Sequence, residues 1–147
     1  MRTRTYKQIS ENYILIFWEN EMLTDEYRKC WALRYLREAK DEFKIAKKNG
    51  KALNLIFDAV RKAQVAIYYS LGEPYFIENI VQEALENPSC IEDPILQCLT
   101  EIEKSIRQLE QLENGQRISD LSEFIIKKSD RIISIADRIV ELLIAKD

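Results

Sequence analysis

Two glutamate pairs, Glu83 with Glu86 and Glu110 with Glu113, are the residues of this chain best spaced to hold a divalent cation. An i,i+3 pair puts both carboxylates on one side of a helix, and two such pairs on neighbouring helices can converge on magnesium through hard oxygen ligands. A solvated acidic face explains the same spacing. A second constellation is basic: Arg37, Lys40, Lys44, Lys47 and Lys51 step by three and four, which lays them along one helical stripe suited to phosphates. Glu38, Asp41 and Glu42 are interleaved with it, so a helix face laced with i,i+3 and i,i+4 ion pairs is the plainer reading. A third is aromatic. Tyr68 and Tyr69, with Tyr75 beyond the Gly72-Glu73-Pro74 turn, can stack a base or nucleotide ring, or can cap the core and leave their hydroxyls in water.

The residue types that are missing narrow the chemistry further. The 147 residues include no histidine, the side chain that most often serves as acid, base or metal ligand near neutral pH. Ser-His-Asp and Cys-His nucleophile systems, H-E-x-x-H sites and Glu-x-x-His di-iron sites are therefore excluded. Three cysteines, Cys30, Cys90 and Cys98, form no C-x-x-C pair and cannot supply four zinc ligands within one chain. Cys30 follows Arg28 and Lys29, but no resolving cysteine lies near it, and an ordinary thiol is expected. Three dispersed glycines make no phosphate-binding loop, and no cofactor is expected. The glutamate pairs are similar to the motif of the all-α nucleotide pyrophosphatases, Glu-x-x-Glu followed by Glu-x-x-Asp. Here the second pair ends in Glu113, and the chain's one Glu-x-x-Asp, Glu38 to Asp41, lies upstream.

These groups must be positioned by helices, because three glycines and three prolines are too few for the turns of a sandwich or barrel. Tyr6, Ile9, Tyr13, Ile16 and Phe17 have helical spacing, although the run Tyr13 to Trp18 also suits a strand; a short N-terminal helix within 5–23 is adopted. Thr24, followed by Asp25 and Glu26, caps a long helix with Ala32, Tyr35, Leu36, Ala39, Phe43 and Ala46 on one face, ending at Asn49-Gly50. A second helix begins near Lys51, carries Leu53, Ile56, Phe57, Val60, Ala63, Ile67 and Leu71, and stops at Gly72, giving an antiparallel hairpin. Pro74 opens a shorter helix with Ile77, Ile80, Val81, Ala84 and Leu85, which Asn87-Pro88 terminates. Asp93 and Pro94 are N-cap and first residue of the next, lined by Ile95, Leu99, Ile102, Ile106 and Leu109 as far as Asn114-Gly115. Asp120 with Glu123 reads as a capping box opening the last helix. There Ile118, Ile125, Ile132 and Ile139 recur every seven residues, Leu121, Ile135 and Leu142 follow three later, and Ile126, Ile133 and Val140 widen the face. Asp130-Arg131 and Asp137-Arg138, seven apart, suit salt bridges to a neighbouring helix.

Charge is segregated along the chain. Residues 1–71 carry 14 Lys or Arg against 9 Asp or Glu, residues 72–147 carry 8 against 16, and between Glu73 and Glu113 ten carboxylates face only Lys104 and Arg107. A basic face and an acidic face on one molecule can steer two copies together, and a homodimer is expected. A pI near 5.2 argues against a dedicated nucleic-acid binder. The apolar run Tyr13–Trp18 is far shorter than the roughly 20 residues of a membrane span, no signal peptide is read, and the unpaired cysteines fit a reducing cytoplasm. Twenty isoleucines with abundant Glu, Lys and Arg give the composition a thermophile-like cast.

Residues 32–74 resemble the first helical hairpin of the HEPN superfamily of small prokaryotic helical bundles, through Tyr35, Leu36, Ala39, Ala46, Ala59, Ala63, Ala66 and Leu71-Gly72. The resemblance implies an up-and-down bundle, often dimeric, associated with nucleotides, RNA or toxin and antitoxin partners. Catalytic members cut RNA with an arginine followed four to six residues later by histidine, and no position here can take that role. The expectation is a single all-α domain over residues 1–147, an up-and-down bundle of four main helices plus a short N-terminal one. Its expected function is non-enzymatic: a cytoplasmic binding or assembly module engaging a protein or a nucleotide or RNA partner through Arg37, Lys40, Lys44, Lys47 and Lys51. The alternative is a magnesium-dependent nucleotide pyrophosphohydrolase using Glu83, Glu86, Glu110 and Glu113.

Overall fold

Helix after helix follows from the pattern of apolar residues, and no strand occurs among the described residues of the computed structural model, which are 26–49, 52–112 and 118–144. The helices are α1 (26–48), α2 (Leu53–Leu71), α3 (Pro74–Glu86), α4 (Pro94–Leu112) and α5 (Ile118–Ile144), with a single 3-10 turn, Pro88–Cys90, after α3. The short N-terminal helix, the Thr24 cap, Lys51, Glu113 and the Asn114-Gly115 turn fall outside the described residues. Among the described residues, no helix is long and apolar enough to cross a membrane.

Several boundaries are set by the residues that the spacing singles out. Asp93 accepts the Ile95 amide at 2.9 Å as N-cap of α4, with Pro94 at the first helical position, where its missing N–H costs nothing. Glu73 does the same for α3, accepting the Phe76 amide at 3.0 Å ahead of Pro74. Two boundaries differ from expectation. α5 begins at Ile118, so Asp120 is a first-turn residue rather than the N-cap of a capping box. Gly72 ends α2 in extended backbone, φ 171°, instead of the left-handed conformation that glycine favours after a helix.

α2 is the central element. It packs more extensively against α5 than against α3 or α4, and side-chain pairs join it to α1. α4 runs antiparallel to it, since Arg61 reaches Glu110 while Gln64, further along α2, reaches Glu103. One core draws on all five helices, with Val60 and Ile67 of α2, Ile106 and Leu109 of α4, and Ile125 and Val140 of α5 fully buried. Each such side chain contributes about 1.5–3 kcal/mol of transfer free energy. Small side chains with no exposure, Ala32 and Ala39 of α1, Ala59, Ala63 and Ala66 of α2, Ser129 and Ala136 of α5, allow the backbones to approach closely. Two expected core residues are exposed instead: Ile95 lies on the open first turn of α4, and Leu142, in the second heptad series of α5, is 62% exposed near the helix end.

Candidate functional site

Successive residues on a helix point about 100° apart, and on α2 this sends the neighbours Arg61 and Lys62 to different flanks with different sets of carboxylates. On the α4 flank, the Arg61 guanidinium donates to Glu103 Oε1 at 3.0 Å, to Gln64 Oε1 at 2.9 Å and, from Nε and Nη2, to Glu110 Oε1 at 2.9 and 2.5 Å. Gln64 is buried and passes the network on, its Nε2 donating to Glu103 Oε1 at 2.9 Å and to the Tyr68 hydroxyl at 3.0 Å. Arg107 donates to Glu103 Oε2 at 2.9 Å and to Gln82 of α3 at 2.8 Å. Burial pushes the Glu103 carboxyl up, but the bonds from Gln64, Arg61 and Arg107 outweigh it and hold Glu103 below the usual carboxylate range. Burial, reinforced by Glu103 and Glu78, raises the Tyr68 phenol, so it stays a neutral hydroxyl.

On the α1 flank, Lys62 is surrounded by Glu42, with Glu38 at 3.3 Å and Asp58 at 3.3 Å. Three carboxylates share one ammonium, and the buried Glu42 Oε2 has no hydrogen-bond partner. Desolvation, followed by the Asp58 carboxylate, pushes Glu42 above the usual range; Asp58 is held below it, first by the raised Glu42 carboxyl beside it and then by Lys62. These carboxylates therefore face Lys62 rather than the stripe lysines, as the plainer reading of the stripe had it.

The stripe itself is divided by the fold. Lys40 bridges to Asp137 of α5 at 2.6 Å, which also bears out the expectation that Asp137 pairs with a neighbouring helix. The Lys47 ammonium lies 4.8 Å from the centre of the Phe43 ring. Arg37 and Lys44 are exposed and make no ion pair among the described residues. Lys51 lies outside them.

The tyrosines are separated rather than gathered. Tyr68 is buried in the Arg61 network, Tyr75 is 70% exposed on α3, and only Tyr69 joins an aromatic array. That array is built from α1: Tyr27, Trp31 and Tyr35, one turn apart, form a row whose inner end stacks on Tyr69, with centroids 5.8 Å apart for Tyr35–Tyr69 and 6.3 Å for Trp31–Tyr69. Trp31 meets Tyr35 at 5.7 Å and Tyr27 edge-on at 6.0 Å, and the Arg34 guanidinium sits 5.1 Å from the Trp31 ring. Burial, then the neighbouring phenols, pushes the Tyr69 hydroxyl up. The signal was present as Tyr-x-x-x-Trp-x-x-x-Tyr, an i,i+4,i+8 row on one helix face, whereas closeness in sequence grouped Tyr68 with Tyr69 although adjacent helical residues diverge.

The glutamate quartet is only partly placed. Glu83 and Glu86 are exposed on α3 and, with Phe76, Asn79, Ile80 and Gln82, line a shallow depression, while Glu110 is held by Arg61 and Glu113 lies outside the described residues. Among the described residues no three carboxylates or thiolates are grouped to hold a metal ion. Cys30 is exposed and Cys98 half-buried, and both are free thiols. Compared with known proteins, the chain matches no family model, no curated protein and no solved structure.

Proposed function

We propose that this chain is a non-catalytic helical-bundle module that works by binding a protein partner through the outer end of the aromatic row, Tyr27, Trp31 and Arg34. The observation that carries this reading is the contrast in how the side chains are used. Arg61, Lys62 and Glu103 are occupied in joining helices, whereas Tyr27 is 59% exposed and the Arg34 side chain, paired with Glu38 of the next turn at 3.2 Å, is 58% exposed at the edge of a stacked aromatic surface. Tyrosine, tryptophan and arginine are the residues in which binding energy concentrates at protein interfaces, and here the Tyr35–Tyr69 stack holds the row rigid before any partner arrives. The HEPN-like hairpin supports the same reading, as it implies a binding or assembly role once the catalytic histidine is absent.

The test is purification of the full chain from its own host at low salt, with light scattering and absorbance at 260 and 280 nm, beside the variant Tyr27→Ala/Arg34→Glu. Both changes lie at exposed positions, so circular dichroism should report unchanged helicity. A stoichiometric protein that co-elutes with wild type and is lost from the variant is the expected result. Co-eluting nucleic acid that leaves at high salt, or a partner retained by the variant, overturns the assignment.

A further inference from the structure

Two exposed helix faces of this chain complement each other in charge and in the order of their apolar and charged residues, and neither has an ion-pair partner among the described residues. On α1, Leu33, Arg37 and Lys44 fall within one narrow stripe; Leu33 is 50% exposed, and neither charge has an ion pair among the described residues. On α3, Phe76 and Ile80 adjoin Glu83 and Glu86 around the shallow depression; Phe76 is 56% exposed, and neither glutamate is bonded to a cation among the described residues. The two faces have the same layout: the apolar residues lie at the N-terminal end and the charges one to three turns further on. At 1.5 Å per residue, Leu33 to Lys44 spans about 16 Å and Phe76 to Glu86 about 15 Å. Laid side by side in the same direction, the helices set Leu33 against Phe76 and Ile80 and bring Arg37 and Lys44 within reach of Glu83 and Glu86.

Within one chain the two faces occupy different flanks. The α1 stripe borders α5, to which Lys40 is bridged, and the α3 face borders α4, to which Gln82 is bonded through Arg107. We infer that the α3 face is the docking site for the α1 stripe of a second copy of this chain. The absence of ion pairs at these four charges carries the argument, since a charge already neutralised internally would have to break that pair before serving an interface; Glu86 accepts only a 3.5 Å bond from Gln82. The contact is heterologous, stripe to depression, so it closes as a two-fold dimer only if both such contacts form at once, and otherwise builds rings or chains. It is separate from the aromatic row and does not depend on the proposal for that surface.

Light scattering on the purified full chain, at low and at high salt, reads the association directly. The expected mass at low salt is at least twice the 17.4 kDa of the chain, falling toward the monomer as salt screens the ion pairs. Glu83→Lys/Glu86→Lys leaves both faces basic, and Arg37→Glu/Lys44→Glu leaves both acidic. Each should weaken self-association about 100-fold, because like charges juxtaposed at an interface cost several kcal/mol. The decisive sample is the mixture of the two variants. Each is monomeric alone, and together they should form a 1:1 complex, a recovery that misfolded variants could not give. A wild-type monomer at low salt, association untouched by either variant, or a mixture that stays monomeric overturns the inference.

Discussion

Arg61 and Lys62 are adjacent in sequence, alike in charge and each bound to more than one carboxylate, yet their surroundings differ in kind. The Arg61 fork divides its donors among Glu103, Glu110 and Gln64, and each of those groups meets a donor it can use. Lys62 offers a compact charge to Glu38, Glu42 and Asp58, and one buried oxygen of Glu42 goes without a partner. Guanidinium geometry allows a half-buried acidic cluster to be satisfied, whereas an ammonium neutralises charge without directing every acceptor. One flank of α2 is thus a bonded network that ties α2, α3 and α4 together, and the other is a crowded carboxylate site that a single cation holds in check.

Removing Arg61 should have the largest effect. Arg61→Ala takes one of two cations from the 11%-exposed Glu103 side chain, leaving it Arg107 and Gln64, and frees Glu110; it should cost about 3 kcal/mol, read as a lower denaturant midpoint. Arg61→Lys should recover only part of that loss, and full recovery would remove the distinction drawn between the two cations. Glu103→Gln should cost about 2 kcal/mol at neutral pH, because an amide group then faces the donors of Arg61, Gln64 and Arg107. Since the folded Glu103 carboxyl is held below its unfolded range, its contribution is full above that range and is lost as pH falls through the folded value. The gap between wild type and Glu103→Gln should therefore close in acid, and a gap independent of pH would count against the network.

On the other flank, Lys62→Met should cost about 1–2 kcal/mol at neutral pH by leaving three carboxylates together, with the loss shrinking as they are protonated. Glu42→Gln should have the smallest effect and the opposite sign, a gain of about 0.5–1 kcal/mol at neutral pH, because the amide can donate to Asp58 while its oxygen still accepts from Lys62. The sign follows from Glu42 being raised in the fold. Its favourable contribution is present below the unfolded value and is lost as pH rises through the folded one, so the benefit of Glu42→Gln should be greatest at neutral pH and fade in acid. Urea titrations of the two Glu→Gln variants across pH 3–7, a range chosen to span carboxylate titration, should give differences from wild type of opposite sign; a loss for both would erase the asymmetry.

Much of the fold was legible from local chemistry. Proline at a first helical position placed the starts of α3 and α4, the second with Asp93 as its cap, and spacing by three and four identified the buried faces of α1 and α4 apart from Ile95. These signals act within a single turn of helix and need no neighbour to be felt. Less of the site could be read. Glu110 looked like half of a metal pair until α2 brought Arg61 to it, and Lys40 looked like part of a continuous basic stripe until α5 set Asp137 2.6 Å away.

By itself, then, the sequence determined the helices of the described residues, a chemistry without histidine, and a charge divided between its two halves, because composition, periodicity and capping depend on residues a few positions apart. Tertiary structure alone decided which charges are occupied, which aromatics meet and which faces stay open. Those outcomes depend on the rotation of each helix about its axis, and that rotation is set when distant small and large side chains close the core.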